Sequence, residues 1–475
     1  MATGWLSTTL APSNIMSSMR VAFFLVCLTA SAASQPFCTA EKPSGQAIQA
    51  AIDACSAKGG GVAYLPPGEY VTGPLWLKDN VELRLEAGAV VALSQKADDW
   101  PSGSPAIINS YGAKNIAITG RGTIDGKAQY EFSAARGADP EIASETEIAR
   151  KAGVDMRRYY RTGVQKYAIV LRDSREVRIE GVRVVNSPLW SLRLQDCDQV
   201  WIRGVYIYSD LEKGVNADGI DIVSTSNVSI SDSTIITADD AICLKTQAWR
   251  GSSGPVRRTE NITVSNCLLS SSSTPMVIGT ETYADIRHVV FSNIVVRDSN
   301  RVFGINVQDG ATVSDVRFQN VTFETRRRHW NWWGSAEVFK FVLKKRSAES
   351  RLGRIENVTI DGAQGVARGT SLIAGDTQRS LENITIQNLR LRMLPEERPD
   401  KRATHAILIE RVDGLTLRNI GVDWDERSPE PAWGSALVLR DVSRLILEGF
   451  GGRAGSPDPG IPAILKQRVK EQSGN

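Results

Sequence analysis

The fold is decided by Gln199 to Ile236, QVWIRGVYIYSDLEKGVNADGIDIVSTSNVSISDSTII. Two short β-rich pieces, QVWI and VYIY, are followed after a polar stretch by a second pair, NVSI and STII. Apolar residues alternate with polar ones and β-branched side chains are common, the pattern of a half-buried strand. Working outward, the first piece recurs as NIAI from Asn115, EVRI from Glu176, NITV from Asn261, HVVF from His288, DVRF from Asp315, NVTI from Asn357, NITI from Asn383 and GLTL from Gly414. The period is roughly 23 to 34 residues, the range of stacked structural repeats, with wider gaps where insertions fall. Strands of four or five residues, split by Gly, Asn, Asp and Ser and free of long amphipathic helices, predict an all-β parallel solenoid. Each coil would bury its inward residues against the coils above and below. A propeller would need four antiparallel strands per blade, and hairpin turns at that density are missing.

A solenoid needs covered ends. Ser44 to Ser56 (SGQAIQAAIDACS) reads as a short amphipathic helix able to cap the N-terminal end. Lys127 to Lys166 interrupts the repeat with charged, helix-prone sequence and is expected on the rim of any site. There it would block one end of a groove and favour exo action. Ser428 to Trp433 (SPEPAW) reads as a loop. The solenoid is placed at residues 34–460, with a polar, frayed tail at 461–475. Residues 1–33 read as an export signal, with Met19 as the true start. Arg20 supplies the charge, Val21 to Ala30 a short apolar run and Ala30-Ser31-Ala32 a cleavage site. That run is too short to span a bilayer. A secreted chain can keep disulfides. Of the five cysteines left, Cys38 and Cys55 are expected to pair across the cap; Cys197, Cys243 and Cys267 read as small buried fillers. Five sequons open at Asn227, Asn261, Asn320, Asn357 and Asn383, and the repeat's own preference for Asn explains them.

The 475 residues carry a net charge of +3, from 56 basic and 53 acidic side chains. That balance argues against nucleic acid or a membrane surface as the partner. Three scattered histidines and the cysteine spacing give no metal site. No cofactor is implied, and a monomer is expected. Chemistry gathers in two acidic motifs, Asn216-Ala217-Asp218-Gly219-Ile220-Asp221 and Ala238-Asp239-Asp240-Ala241-Ile242. Asp218 and Asp239 lie 21 residues apart, close to one coil. Neighbouring coils would put them about 4.8 Å apart along the axis. Crowding of that kind raises the pKa of at least one carboxyl, supplying a proton donor beside an ionised base, the pair that glycoside hydrolysis needs. A Ca²⁺ site or turn-capping aspartates would explain one Asp-Gly turn. Two motifs in register favour catalysis.

At these residues the sequence resembles the family 28 glycoside hydrolases, the polygalacturonases and their relatives. Asn186-Ser187-Pro188-Leu189-Trp190 is similar to that family's NSPxW segment, Asn216 to Gly219 to its NTDG motif, and Ala238-Asp239-Asp240 to its GDD motif. GGGVAYLPPGEYVTGPL and GRGTIDG near the N-terminus are similar too. The resemblance implies a right-handed parallel β-helix and inverting hydrolysis of a polysaccharide without a metal. Carried over by motif, Asp239 is the general acid, and Asp218 and Asp240 activate water. Asn216 supports the carboxylates and Lys245 faces the substrate. Two departures stand out. The family's GHG histidine falls at Ser272-Ser273-Thr274, and its RIK cations fall at Gly304 and Asn306. Losing them removes charge-assisted bonds to a uronate carboxylate, so a neutral, branched or rhamnose-containing glycan stays open beside galacturonan. Glu281, Trp332 and Trp333 are further substrate-binding candidates, with Glu337 as another. The tryptophans lie in RRRHWNWW (Arg326 to Trp333), and stacking on sugar or folding back as a local core are even readings of them. A β-helical lyase or epimerase, and a non-catalytic glycan-binding solenoid, are the competing functions.

Overall fold

The computed structural model describes residues 36–132, 147–153, 159–328, 334–399 and 401–472. The expected export signal and both Trp332 and Trp333 lie outside them. Among the described residues, 32 strands join in one continuous, parallel-paired sheet wound as a β-helix. Crossovers between parallel strands of one sheet are right-handed. One column of strands matters most for function. It runs through Ala106–Tyr111, Tyr167–Arg172, Leu192–Gln195, Ile220–Val223, Ile242–Thr246, Met276–Thr282, Arg301–Val307, Glu337–Leu343 and Ser371–Ala374, each paired with the next.

The repeat motif has a definite physical meaning. Its first residue turns the corner between two strands with a left-handed backbone, as at Asn115 (φ 51°), Asn227 (58°), Asn261 (61°), Asp315 (55°) and Asn357 (55°). Asn and Asp tolerate that conformation better than other residues with a Cβ. The second and fourth residues point inward. Val228 and Ile230, Ile262 and Val264, and Val316 and Phe318 are all buried. Phe291, Phe303, Phe318, Phe339 and Phe341 thicken the core midway along the axis. The corner side chains bond to one another along the axis. Asn261 Nδ2 donates to Asn227 Oδ1 at 2.9 Å, and Asn227 Nδ2 donates to Asp198 Oδ1 at 2.7 Å. The side-chain amides of Asn320, Asn357 and Asn383 are engaged in the same manner. All five sequon asparagines therefore spend the nitrogen that would carry a glycan on the ladder.

The cap is a helix, Gly45–Ala57, begun by Ser44, whose hydroxyl accepts from the Ala47 amide at 3.2 Å. It buries Ile48, Ala51, Ile52 and Cys55, and a Cys38–Cys55 disulfide ties it to the strand Phe37–Thr39. Cys197, Cys243 and Cys267 are buried and unbonded to one another. Trp433, in the Pro-rich loop, packs on Trp424 with ring centres 4.8 Å apart. The C-terminal expectation is corrected. The expected tail at 461–475 does not fray from its start, because Ile464–Glu471 within its described part is a strand in parallel register with Leu437–Gly452. It looked unstructured because an outermost coil can be polar on its outer face and still satisfy its backbone on the inner one.

Candidate active site

The two acidic motifs lie at the entry to successive strands of that column. Ile220 pairs with Ile242, and the Gly219 amide donates to the Asp240 carbonyl at 2.8 Å, so Asp218 stands beside Asp240 on the next coil. Asp239 falls level with Ala217, one residue earlier. The winding expected from sequence is present, with the register one residue from the 21-residue spacing of Asp218 and Asp239. Extending it gives a row of facing residues, Trp190, Asp218, Asp240, Thr274, Arg301 and Glu337. A second row, Arg193, Asp221, Cys243, Val277, Gly304 and Lys340, runs three positions further along each strand.

Asp221, not singled out from the sequence, belongs to the cluster. It is fully buried, and its Oδ1 accepts from Lys245 Nζ at 2.7 Å. The same ammonium lies 3.4 Å from Asp218 Oδ2 and 3.8 Å from the centre of the Trp190 ring. Lys245, read from sequence as facing the substrate, is 6% exposed and serves as counter-ion to two aspartates. Asp240 Oδ1 accepts from Ser273 Oγ at 2.9 Å and from the Thr274 amide at 3.1 Å. Residues standing where the family histidine was expected thus hold Asp240 in place. Asp239 Oδ1 accepts from the Asp240 amide at 3.0 Å.

Four carboxyls surround one lysine, and they cannot all ionise together at neutral pH. Burial, then Asp240, pushes Asp239 up to about 7. Burial pushes Asp221 up to about 6 against the pull of Lys245. Burial and Asp221 hold Asp218 well above the usual carboxylate range, and burial also raises Asp240. Lys245 stays firmly charged, because Asp221 and Asp218 outweigh the burial that opposes it. The cluster therefore keeps protons near neutrality while retaining at least one carboxylate against the ammonium.

The other sequence candidates separate clearly. Asn216 sits one residue before Ala217 in a left-handed conformation (φ 58°), half-buried at the cluster's edge. Glu281 is half-buried and acts electrostatically on Lys245. Glu337 is buried and paired with Arg301 at 2.7 Å, three coils beyond Asp240. The insertion reaches the rim through its described part. Arg161 Nη1 donates to the carbonyls of Pro188 (3.4 Å) and Val215 (3.3 Å), linking the loops that carry Trp190 and Asn216. At the lost cation positions, Gly304 is buried against the Val277 and Thr274 side chains, and Asn306 Oδ1 accepts from Gln308 Nε2 at 3.1 Å. Among the described residues, five of the twelve buried polar atoms without a hydrogen-bond partner lie here: Trp190 Nε1, Ser191 Oγ, Arg193 Nε, Asp218 Oδ1 and Asp221 Oδ2. Buried polar groups in native proteins are nearly always satisfied, so such a concentration marks a place completed by water or ligand.

Residues 65–327 match the family model described as glycosyl hydrolases family 28, more than half of the chain. The chain belongs to that family. Membership places it among enzymes that hydrolyse O-glycosyl bonds. A probable polygalacturonase of Vitis vinifera is 25% identical over 61% of this chain, and the match spans 58% of that protein's length. An endo-polygalacturonase of Pectobacterium carotovorum is 23% identical over 68% of this chain and 77% of its own. Among solved structures, an exopolygalacturonase from Thermotoga maritima superposes with a TM-score of 0.64 at 20% identity, covering 82% of this chain and 91% of that one. A family 28 exopolygalacturonase from Yersinia enterocolitica gives 0.63 at 17% identity, covering 92% and 78%. These structural likenesses bear out the right-handed parallel β-helix.

Proposed function

We propose that this family 28 glycosidase cleaves a pectic, uronate-containing polysaccharide by direct displacement with water. The observation that carries the reading is the proton-sharing cluster of Asp218, Asp221, Asp239 and Asp240 around Lys245. Asp239, with its proton retained to about pH 7, protonates the leaving glycosidic oxygen. Asp240, fixed by Ser273 and Thr274, and Asp218, facing Lys245, orient and deprotonate the attacking water. Attack by water opposite the leaving group inverts the anomeric centre. Lys245 keeps part of the cluster ionised once the acid has given up its proton. No step requires a metal. The polygalacturonases among its relatives support a galacturonate-bearing substrate. Secretion is supported by the Cys38–Cys55 disulfide, a bond that persists in oxidising compartments.

The test is purified protein against pectic and neutral glycans, with reducing ends counted and the first-formed anomer followed by NMR. Reducing ends of inverted configuration are expected from acidic pectic substrates. Unsaturated, ultraviolet-absorbing products would reveal a lyase. No product from any glycan would leave a binding solenoid.

A further inference from the structure

On the floor of the site, one coil toward the N-terminus from Asp221, stands a guanidinium that the hydrolytic mechanism does not use. Arg193 is 7% exposed. Its side chain lies between two ring faces, with Cζ 5.0 Å from the centre of Trp190 and 4.7 Å from that of Trp249. Its Nη2 donates to Gln195 Oε1 at 2.6 Å. Its Nε has no hydrogen-bond partner, and its charge acts on Asp221, a carboxylate whose direct bond goes to Lys245. The indole Nε1 of Trp190 beside it is another buried donor without an acceptor.

We infer that Arg193 reads a carboxylate on the substrate, binding the uronate residue that lies one coil toward the N-terminus from the aspartates. Resting on the hydrolase reading above, this names the charge that the enzyme selects. An arginine cannot shed its proton when buried, so its charge must be answered by the ligand or by the fold. The fold answers it only in part: aromatic faces hold the guanidinium flat, and Asp221, the next residue in its row, already bonds Lys245. A planar fork with free N–H groups is the complement of a carboxylate, whereas a sugar hydroxyl would satisfy one donor and leave the charge standing. Trp249 comes from the segment after the strand Ile242–Thr246 and packs on Arg193, so a bound sugar ring would meet an aromatic face as its carboxylate meets the fork. The next coil repeats the arrangement, with Arg172 Cζ 5.2 Å from the Trp249 ring centre and 4.5 Å from that of Tyr111. With the family's two cations replaced by Gly304 and Asn306 on the other side of the aspartates, acidic recognition has shifted to the N-terminal coils.

The test is calorimetric binding of trigalacturonate and its methyl ester to Asp239→Asn, with and without Arg193→Gln or Arg193→Lys. Losing a charge-assisted fork should weaken trigalacturonate about ten- to a hundredfold in Arg193→Gln and leave the ester within about twofold. Arg193→Lys, which keeps the charge and the fold, should fall between. Equal weakening of both ligands, or none, overturns the inference. So does failure of trigalacturonate to bind better than its ester before Arg193 is changed. Should Arg193→Gln fail to fold, the acid-to-ester ratio in Arg193→Lys decides alone: unchanged, it overturns the inference. Absence of hydrolysis in the unsubstituted protein would sink the hydrolase reading while leaving this comparison intact.

Discussion

Lys245→Met removes the only ammonium inside a cluster of four carboxyls. In the folded protein Lys245 Nζ lies 2.7 Å from Asp221 Oδ1 and 3.4 Å from Asp218 Oδ2, all three side chains being more than nine-tenths buried. Breaking a buried pair by removing one partner costs about 3–5 kcal/mol, most of it from the charge left behind. The protein escapes part of that cost by protonating Asp221, whose pKa is already about 6 with the lysine present. Without the lysine it rises further, so between pH 8 and 6 the folded variant carries a proton that wild type holds only in part. An unfolded aspartate, with pKa near 3.9, carries none in that range. Each such proton changes stability by about 1.4 kcal/mol per pH unit. Two units, less the fraction of a kcal/mol that wild type gains by half-protonating Asp221 at pH 6, therefore recover up to about 2 kcal/mol of the deficit as the pH falls from 8 to 6. Chemical denaturation of wild type, Lys245→Met, Asp221→Asn and the double variant at both pH values measures this. The double variant should be more stable at pH 8 than Lys245→Met, since it removes the stranded charge. A deficit below about 1 kcal/mol, or one with no dependence on pH, would refute the assignment of Lys245 as counter-ion.

Three further outcomes follow from the same geometry. A plot of kcat/KM against pH should fall on its alkaline side near 7 as Asp239 loses its proton, and Asp239→Asn should abolish that limb with activity down by about 10²–10⁴-fold. The sign for stability matches: the folded pKa of Asp239 is raised above the unfolded value, so its contribution is full below about pH 4, is lost as pH rises through about 7, and is absent from the melting profile of Asp239→Asn. Asn261→Ala breaks the bonds to Asn227 and His288 and puts a poor residue at φ 61°, so denaturant titration should show a loss of about 2 kcal/mol. Cys38→Ser should cost about 3 kcal/mol by releasing the loop closed to Cys55, and limited proteolysis should then cut first at the N-terminal cap.

The solenoid was legible because one physical requirement repeats. Every coil needs a corner residue that accepts a left-handed backbone and two inward aliphatics after it. Asn227-Val228-Ser229-Ile230 states that requirement as plainly as the structure does. The acid cluster was legible for a related reason. Coil length sets which residues become neighbours, so Asp218 and the Asp239-Asp240 pair could be brought together by counting. Counting does not give the register to one residue, and here one residue decides which aspartate faces Asp218. Nor does it say where a long side chain ends. Lys245 was read as facing the substrate and Asp221 was given no role, and only packing shows that they satisfy each other across a 2.7 Å contact. Arg193 was hidden for the opposite reason, because its neighbours in space, Trp190 and Trp249, come from three residues before it and from a loop two coils later.

The distribution of unpaired atoms ties these observations to function. A β-helix satisfies its backbone by stacking, and its corner residues bond to their counterparts one coil away. Thr246 Oγ1, at the far end of the same column of strands, donates to the Ala284 carbonyl at 2.8 Å as the fold demands. At the entry to that column, Trp190 Nε1 and Arg193 Nε lack acceptors while Asp218 Oδ1 and Asp221 Oδ2 lack donors. The unpaired atoms of the N-terminal coil are thus donors together with the Ser191 hydroxyl, and those beside Lys245 are acceptors. A substrate that presents an anionic group to the first coil, and a water molecule with its scissile bond to the next two, satisfies both sets at once.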